Sequence, residues 1–187
     1  MVSETPNVPG IGDLERILIS EERLARRVTE LATEISRDYA GRDLVLVSVL
    51  KGGIVFLADL IRRMRIPHEI ELVGASSYHG GSTPAPSVRI TKDVDQNLAG
   101  KDVLLIEDIY DSGNTLGVVH ELLEIHRPTS LEVCALLRKN KPRRRKLEIK
   151  YVGFDIEDAF VVGYGLDFKE RYRNIPCIGV LHPSLYQ

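Results

Sequence analysis

The residues best suited to chemistry form one short acidic segment in the middle of the chain. An apolar run, residues 103–106, leads into the adjacent carboxylates Glu107 and Asp108, and Asp111 follows. A small polar turn, Ser112-Gly113-Asn114-Thr115, then precedes apolar residues at helical spacing. Such a turn points backbone N–H groups and a helix N-terminus at one spot, which suits a phosphate. Carboxylates beside it suit hydroxyl groups or Mg²⁺, so the segment predicts a site for a phosphorylated polyol.

Two other interpretations fit parts of this segment. Asp-Ser-Gly-Asn is favourable turn chemistry in any protein, so the segment alone is also compatible with a purely structural role. A strand that ends in carboxylates is also a part of nucleotide-hydrolysing P-loop proteins. Their Gly-x-x-x-x-Gly-Lys-Ser/Thr motif is absent from the chain, and its absence excludes that class.

The segments around this site alternate between helix and strand patterns. Apolar residues recur at helical spacing after Ser20, at Leu24, Val28, Leu31, Ile35 and Tyr39. Apolar runs predict strands at residues 44–50, 69–77, 103–106 and 131–137, with a helix at 54–64 after the first strand. The alternation predicts an α/β fold with a mostly parallel central sheet flanked by helices.

Charged residues follow several of these predicted strands. In open α/β sheets, ligands bind beyond the carboxyl ends of the strands, so Lys51, Glu107, Asp111 and Lys139 are expected along one edge. Lys51-Gly52-Gly53 offers a cation and backbone amides that an anion can approach closely. The same glycine pattern is also common at the start of ordinary helices.

Length and composition predict a single domain, residues 1–187, in a reducing compartment. Residues 1–14 are interpreted as an N-terminal arm, about 78–90 as a mobile lid loop, and about 147–187 as part of a smaller hood subregion. The lid segment is rich in glycine and proline, so an inert insertion is the alternative. The net charge of −2, the two unpaired cysteines, and the lack of a signal peptide or a membrane-length apolar run predict a cytoplasmic protein without membrane contact.

The basic run from Arg138 to Lys146 is the other conspicuous feature. Seven of these nine residues are lysine or arginine, which is typical of a solvated surface, with an RNA-binding patch as the alternative. Asp167, Arg171 and Arg173 form a second charged group, which by itself is compatible with surface ion pairs. The five histidines are scattered, without metal-ligand spacing, and receive no role.

The chain resembles the bacterial 6-oxopurine (hypoxanthine-guanine) phosphoribosyltransferases of the type I phosphoribosyltransferase family, from about residue 15 to about 180. The resemblance is based on residues 49–53, 76–78, 107–115, 136–139 and 152–167. It implies a type I phosphoribosyltransferase fold and transfer of the 5-phosphoribosyl group from phosphoribosyl pyrophosphate (PRPP) to N9 of hypoxanthine or guanine. It also implies Mg²⁺ as cofactor and a homodimer or homotetramer, whereas nucleic acid is not expected as a partner.

The same resemblance implies roles for individual residues. The implied PRPP-binding residues are Glu107, Asp108, Asp111, Ser112, Gly113, Asn114 and Thr115, with Asp111 also the catalytic base. The implied pyrophosphate-binding residues are Leu50, Lys51, Gly52 and Arg173, with a cis bond between Leu50 and Lys51. The implied purine-binding residues are Lys139, Phe160, Val161 and Asp167. The implied lid residues are Ser77 and Tyr78, and the implied metal ligands are Glu107, Asp108 and Asp167.

Two features qualify this resemblance. Tyr110 lies where relatives generally carry an aliphatic residue, so its ring must be accommodated beside the site or in an interface. Pro84 and Pro86 lie within the predicted lid and affect how it closes. An adenine- or pyrimidine-specific phosphoribosyltransferase is disfavoured by Lys139 and Phe160 in their strand-end contexts. An ammonium group donates to a 6-oxo acceptor but not to a 6-amino group.

Overall fold

Two β-sheets and three α-helices make up the described part of the chain, residues 8–78, 87–143 and 145–186 of a computed structural model. The strands are β1 (Leu14–Ile19), β2 (Leu44–Leu50), β3 (Glu69–Tyr78), β4 (Ser87–Lys92), β5 (Asp102–Tyr110), β6 (Ser130–Lys139), β7 (Tyr151–Ile156), β8 (Val161–Val162) and β9 (Ile178–Leu181). The helices are α1 (Glu21–Asp38), α2 (Gly53–Ile61) and α3 (Asn114–Ile125). Short 3₁₀ turns span Ile11–Asp13 and Pro183–Leu185.

The central sheet has the strand order β4-β3-β2-β5-β6-β7, and only β4 runs antiparallel to its neighbour. The mostly parallel α/β architecture is therefore confirmed. From β2 the chain first adds β3 on one side and later β5 on the other, so the order reverses between β2 and β5. Such a switch point opens a crevice beyond the carboxyl ends of the two strands.

The central strands are apolar because both of their faces are covered. Leu46 and Ile106 face a core that contains the inner residues of α1 and α2, whereas Val47 and Leu105 face a second core with Leu116 and other α3 residues. The alternation of faces along each strand places neighbouring residues in different cores. The five apolar residues predicted for α1 are all buried, and the Ser20 hydroxyl accepts a hydrogen bond from the Arg23 amide at its N-terminus.

A smaller antiparallel sheet, β1-β9-β8, forms beside the main one. The predicted arm and hood boundaries need correction here. Within the predicted arm, residues 11–13 form a 3₁₀ turn, and Leu14 begins β1, which pairs with β9. Strand β7, placed by sequence in the hood segment, belongs instead to the central sheet. The small sheet thus combines both ends of the chain.

The end of the predicted lid segment overlaps a strand. Its last residues, 87–90, begin β4, in which Val88 and Ile90 are half-buried and Arg89 is exposed, the alternation of a strand with one covered face. Residues 79–86 lie outside the described residues, so the lid itself stays a prediction. In the part of the chain that is described, no helix has the length and apolar character needed to cross a membrane.

Candidate active site

The carboxyl ends of β2 and β5 meet at the crevice, where they hold the acidic segment. Strand β5 continues four residues beyond the predicted apolar run, so Glu107 and Asp108 lie within the strand rather than after it. Together with residues 111–115 they line a cavity of about 230 Å³. The acidic residues and the polar turn of the sequence are therefore parts of one site.

The two adjacent carboxylates, Glu107 and Asp108, are buried to a degree unusual for acids. Each residue is only 8% exposed, and Glu107 Oε2 has no hydrogen-bond partner within the described structure. Burial, and after it the charge of Asp108, raises the pKa of Glu107 well above its usual range. Burial also raises the pKa of Asp108, although its Oδ1 accepts a hydrogen bond from the Ile109 amide at 2.8 Å.

The turn after β5 forms the start of α3. Gly113 is the N-terminal cap residue, with φ = 81°, a left-handed conformation that glycine adopts without strain. The Gly117 amide donates to the Gly113 carbonyl at 2.9 Å, and the Asn114 amide lies 3.4 Å from the Ser112 hydroxyl. The first residues of α3 line the cavity. The helix dipole favours an anion at this end of the helix, beside its N-terminal amides.

The loop after β2 lies on the opposite side of the crevice. The peptide bond between Leu50 and Lys51 is cis, as expected. Gly52 lies so close to the Asp108 carboxylate that a Cβ at this position would collide with it. The Lys51 ammonium extends into solvent and pairs with Glu170 Oε2 at 2.9 Å. The tight packing of Gly52 brings a backbone N–H–rich loop directly against the acidic pair.

The segment between β8 and β9 contributes a second charged group to the crevice. Arg173 pairs with Asp167 at 2.8 Å and donates to the Gly165 carbonyl at 2.8 Å, while Asp167 Oδ2 accepts from the Glu170 amide at 2.9 Å. With Lys51, Gly52 and Asp108, these residues line an adjoining cleft of about 700 Å³. Asp167 and Arg173 are thus brought to the acidic pair, while Glu170 is a member of the site that the sequence analysis missed.

Two lysine ammonium groups and two aspartate carboxylates form a charge cluster at the start of the turn, beside Asp111. The buried Lys139 ammonium is 3.1 Å from Asp111 Oδ2 and 3.2 Å from Asp158 Oδ1. Lys141 contacts both of the same carboxylates. The sequence analysis expected Lys139 near Asp111 but missed Lys141 and Asp158, because that contact depends on how two loops cross. Lys141 and Asp158 each lie two residues after the end of a strand, and this position is the only feature of the sequence that points to them.

Two aromatic side chains lie against Phe160, which directly precedes β8 and is 37% exposed. Its ring stacks on Tyr186 at 4.8 Å between centroids and meets Phe168 edge-on at 5.6 Å. The neighbouring Val161 is buried in β8. Tyr186 is a fourth residue that sequence reasoning missed. Ser77 and Tyr78 end β3, and their side chains are outside the described part of the structure.

Most of the described cations in the basic run are paired with acidic side chains, which differs from the solvated surface that the composition indicated. Arg138 makes a two-point ion pair with Asp155, at 2.6 and 2.9 Å. Lys139 and Lys141 bind the carboxylates described above, and Arg145 pairs with Glu121. Acidic residues on β7 and α3, Asp155 and Glu121, form ion pairs with Arg138 and Arg145 of the run. Its charge is therefore largely used internally, which leaves less for RNA.

The acidic pair fits the Mg²⁺ that the resemblance implies. Mg²⁺ usually takes one or two protein carboxylates and completes its shell with water and substrate phosphates. Glu107 and Asp108 supply such carboxylates, and Glu107 Oε2 is a buried acceptor that receives no hydrogen bond from the described protein groups. Within the described ranges, no group of three or more His, Cys, Asp or Glu side chains is arranged to hold a metal by itself.

Comparison with known proteins agrees with this geometry. Residues 16–169 match the phosphoribosyl transferase domain family, and the chain belongs to that family. It has the type I phosphoribosyltransferase fold. Two curated relatives are named hypoxanthine-guanine phosphoribosyltransferase: that of Mycobacterium tuberculosis strain H37Rv is 44% identical over 94% of this chain and 90% of its own, and that of Staphylococcus aureus strain N315 is 45% identical over 93% and 97%. A crystal structure of a hypoxanthine phosphoribosyltransferase from S. aureus superposes with a TM-score of 0.91 at 43% identity, covering 97% of this chain and 99% of that one.

Proposed function

We propose that this phosphoribosyltransferase, one domain over residues 1–187, transfers the 5-phosphoribosyl group of PRPP to N9 of hypoxanthine or guanine, which yields IMP or GMP and pyrophosphate. One observation carries the proposal: a buried acidic pair, a helix-capping turn and a buried lysine meet at one sheet edge. The first two suit a phosphorylated ribose, and the third suits an oxo-substituted base.

The turn after β5 binds the 5′-phosphate. Backbone amides of residues 112–115 and the hydroxyls of Ser112 and Thr115 donate to the phosphate oxygens, and the α3 dipole adds favourable charge. Glu107 and Asp108 lie beside the turn and accept hydrogen bonds from the ribose hydroxyls. Breaking the C1′–O bond develops positive charge on the ribose, which these carboxylates stabilise.

The adjoining cleft binds the pyrophosphate. Backbone amides of residues 50–52 and the cations of Lys51 and Arg173 face this cleft. Asp167 and the acidic pair are the residues that would hold Mg²⁺, which neutralises charge on the departing pyrophosphate when it is bound. Lys51 and Arg173 are now paired with Glu170, so the pyrophosphate competes with that carboxylate for both cations.

The base lies between Phe160 and the lysine cluster. Phe160 stacks on the purine, Val161 contributes backbone contacts, and the Lys139 ammonium donates to the 6-oxo group. Adenine presents an amino donor there and gives the ammonium no acceptor in place of the 6-oxo group, so it is rejected. Asp111, within ion-pair distance of Lys139, accepts the proton from N7 as the new bond forms at N9.

Three parts of the proposal concern features around this chemistry. The lid, including Ser77 and Tyr78, closes over PRPP and excludes water that would hydrolyse it. The protein is a homodimer or homotetramer, which light scattering coupled to size-exclusion chromatography distinguishes. The reaction takes place in the cytoplasm, a location supported by the two buried free thiols, Cys134 and Cys177.

Nucleotide formation with four bases tests the proposal. Purified protein, PRPP and Mg²⁺ are incubated in parallel with hypoxanthine, guanine, xanthine and adenine, and products are separated by chromatography. We expect IMP or GMP together with pyrophosphate, and no AMP. Turnover of adenine at a comparable rate would contradict the role of Lys139, and no turnover of any base by folded protein would reject the proposed reaction.

A further inference from the structure

Tyr110 links two parts of the molecule that the reaction does not by itself connect. It is the last residue of β5, directly before Asp111, and its ring is buried. Its hydroxyl donates to the Arg145 carbonyl at 3.1 Å and accepts a hydrogen bond from the Leu147 amide at 2.8 Å. Both partners belong to the basic loop, residues 140–147, in which Arg144 lies outside the described residues.

The ring of Tyr110 makes a further contact with the same loop. The Arg143 guanidinium lies 4.3 Å from the ring centroid, within the range of a cation–π interaction. The same guanidinium donates to the carbonyls of Lys139 and Lys141, and these bonds constrain the backbone path of residues 139–143. Tyr110 therefore contacts the loop through its hydroxyl and through its ring face.

Arg145 carries this loop onto the phosphate-binding turn. Its carbonyl packs against Gly113, and its side chain crosses Gly117, at positions where any Cβ on either glycine would collide with it. Its amide lies 3.4 Å from the Ser112 carbonyl, and its guanidinium pairs with Glu121 on α3. Arg145 thus packs the loop against the turn and the first turn of α3.

A phosphate-binding turn has a particular need for such support. The amides that bind the anion must stay free, so they cannot also form the hydrogen bonds that fix the shape of the turn. Within residues 111–115 the structure has one weak internal contact, from the Asn114 amide to the Ser112 hydroxyl at 3.4 Å. The shape of the turn must therefore be fixed from outside, and the contacts of Tyr110 and Arg145 are in the right place.

We propose that Tyr110 and the basic loop form a clasp that holds the phosphate-binding turn in its binding conformation, and that Tyr110 is a positioning residue for PRPP. The inference deepens the proposed function, because it assigns to the basic run a part in binding the 5′-phosphate. The Tyr110 hydroxyl and the ring face beside Arg143 act through the loop, although Tyr110 is also one of the residues that line the cavity. The clasp acts on the phosphate end of the site and leaves the stacking side, at Phe160, untouched.

The substitution Tyr110→Phe tests the hydroxyl alone. It keeps the ring and the Arg143 contact but leaves the Leu147 amide and the Arg145 carbonyl without their partner. We expect the KM for PRPP to rise about tenfold, the scale of one buried hydrogen bond, while the KM for hypoxanthine changes by less than about twofold. Tyr151→Phe is the matched control, because the Tyr151 hydroxyl is also buried but donates to Asp38 at the end of α1, at 3.0 Å.

A second variant separates positioning from stability. Gly117→Ala displaces the Arg145 side chain from α3, yet alanine favours a helix interior over glycine. We therefore expect Gly117→Ala also to raise the KM for PRPP although its helix gains propensity. Amide hydrogen exchange, followed by mass spectrometry on peptides covering residues 110–118, gives a readout that needs no substrate, and it should be faster in both variants.

The outcomes discriminate clearly. A selective rise in the KM for PRPP with faster exchange in the turn, absent in Tyr151→Phe, supports the clasp. Unchanged exchange and an unchanged KM for PRPP in Tyr110→Phe overturn it, as does an equal effect of Tyr151→Phe. If the unsubstituted protein turns over no base, the proposed function fails, but the exchange comparison still decides whether the turn is held by Tyr110.

Discussion

The acidic pair and Asp111 are only three residues apart, yet their electrostatic surroundings are opposite. Glu107 and Asp108 are buried in β5, and none of the ion pairs within 4 Å in the described residues involves either of them. Asp111 is held by two lysine ammonium groups, Lys139 and Lys141. One short segment therefore contains a carboxylate pair with no cation within 4 Å in the described residues, and a carboxylate with two.

This difference indicates where each half of the site obtains its positive charge. Under the proposed function, Mg²⁺ and the ribose carbon as it becomes positive would bring charge to the acidic pair, while Lys51 and Arg173 lie in the adjoining cleft. On the base side, the protein supplies the charge itself, because a neutral purine brings none. Each half is thus complementary to the charge of what it binds.

The largest expected effect comes from removing the charge of Asp111. Asp111→Asn should lower kcat by at least about two orders of magnitude, because the amide cannot accept the N7 proton. Steady-state kinetics with saturating PRPP and hypoxanthine measure it. Asp158→Asn, in the same cluster but with no assigned proton transfer, is the control. Activity of Asp111→Asn close to that of the control would exclude Asp111 as the base.

A smaller effect is expected from the two lysines, and it separates their roles. Lys139→Ala should raise the KM for hypoxanthine about 10- to 100-fold, the range of a charge-assisted hydrogen bond, with little change in the KM for PRPP. Lys141→Ala should change both constants less, because its partner Asp111 keeps Lys139. Equal losses for base and PRPP in Lys139→Ala would make it a general anion contact instead of the 6-oxo donor.

The smallest expected effect concerns stability, and it tests whether Glu107 of the acidic pair is buried without a partner. A raised pKa means that Glu107 stabilises the fold while it is protonated and loses this contribution as the pH rises through its folded pKa. Glu107→Gln cannot ionise, so without ligand its Tm should exceed that of the unsubstituted protein by about 2–4 °C at pH 8, the shift expected for about 1 kcal/mol. The advantage should vanish below about pH 4.3, the ordinary pKa of glutamate.

Calorimetry over that pH range measures this advantage, with Glu148→Gln on the surface as the control. Glu107→Gln should also gain less stability from Mg²⁺ and PRPP than the unsubstituted protein does. A lower Tm at pH 8 would show that Glu107 is stabilised by a partner, and the contrast with Asp111 would be wrong.

The sequence predicted best the elements that are buried on both faces. Strand β2 was placed at its observed bounds, and α1 was recognised by its spacing, because complete burial leaves a continuous or periodic apolar pattern. Strands β1 and β7 were missed because they are part-exposed and contain charged residues or glycine. The pairing of β1 with β9 joins opposite ends of the chain, and no local pattern indicates it.

The candidate site follows the same division. Residues at strand ends were expected at one edge, and the structure brings Lys51, Glu107, Asp111 and Lys139 to the two adjoining cavities or their charge cluster. The contacts of Lys141, Glu170 and Tyr186 were not expected, because they depend on loop paths. Tyr110 was noticed as unusual, but its partners in the basic loop became visible only in three dimensions.

The aromatic group around Phe160 has an optical consequence. The chain contains no tryptophan, so Phe160→Trp would place a single indole where the purine is proposed to stack, flanked by Phe168 and Tyr186. Excitation at the red edge of absorption would then select that one ring, and stacking of a purine on it should quench its fluorescence. Occupancy of the base pocket could be followed in real time by light emission, in a protein that otherwise has only tyrosine and phenylalanine emission.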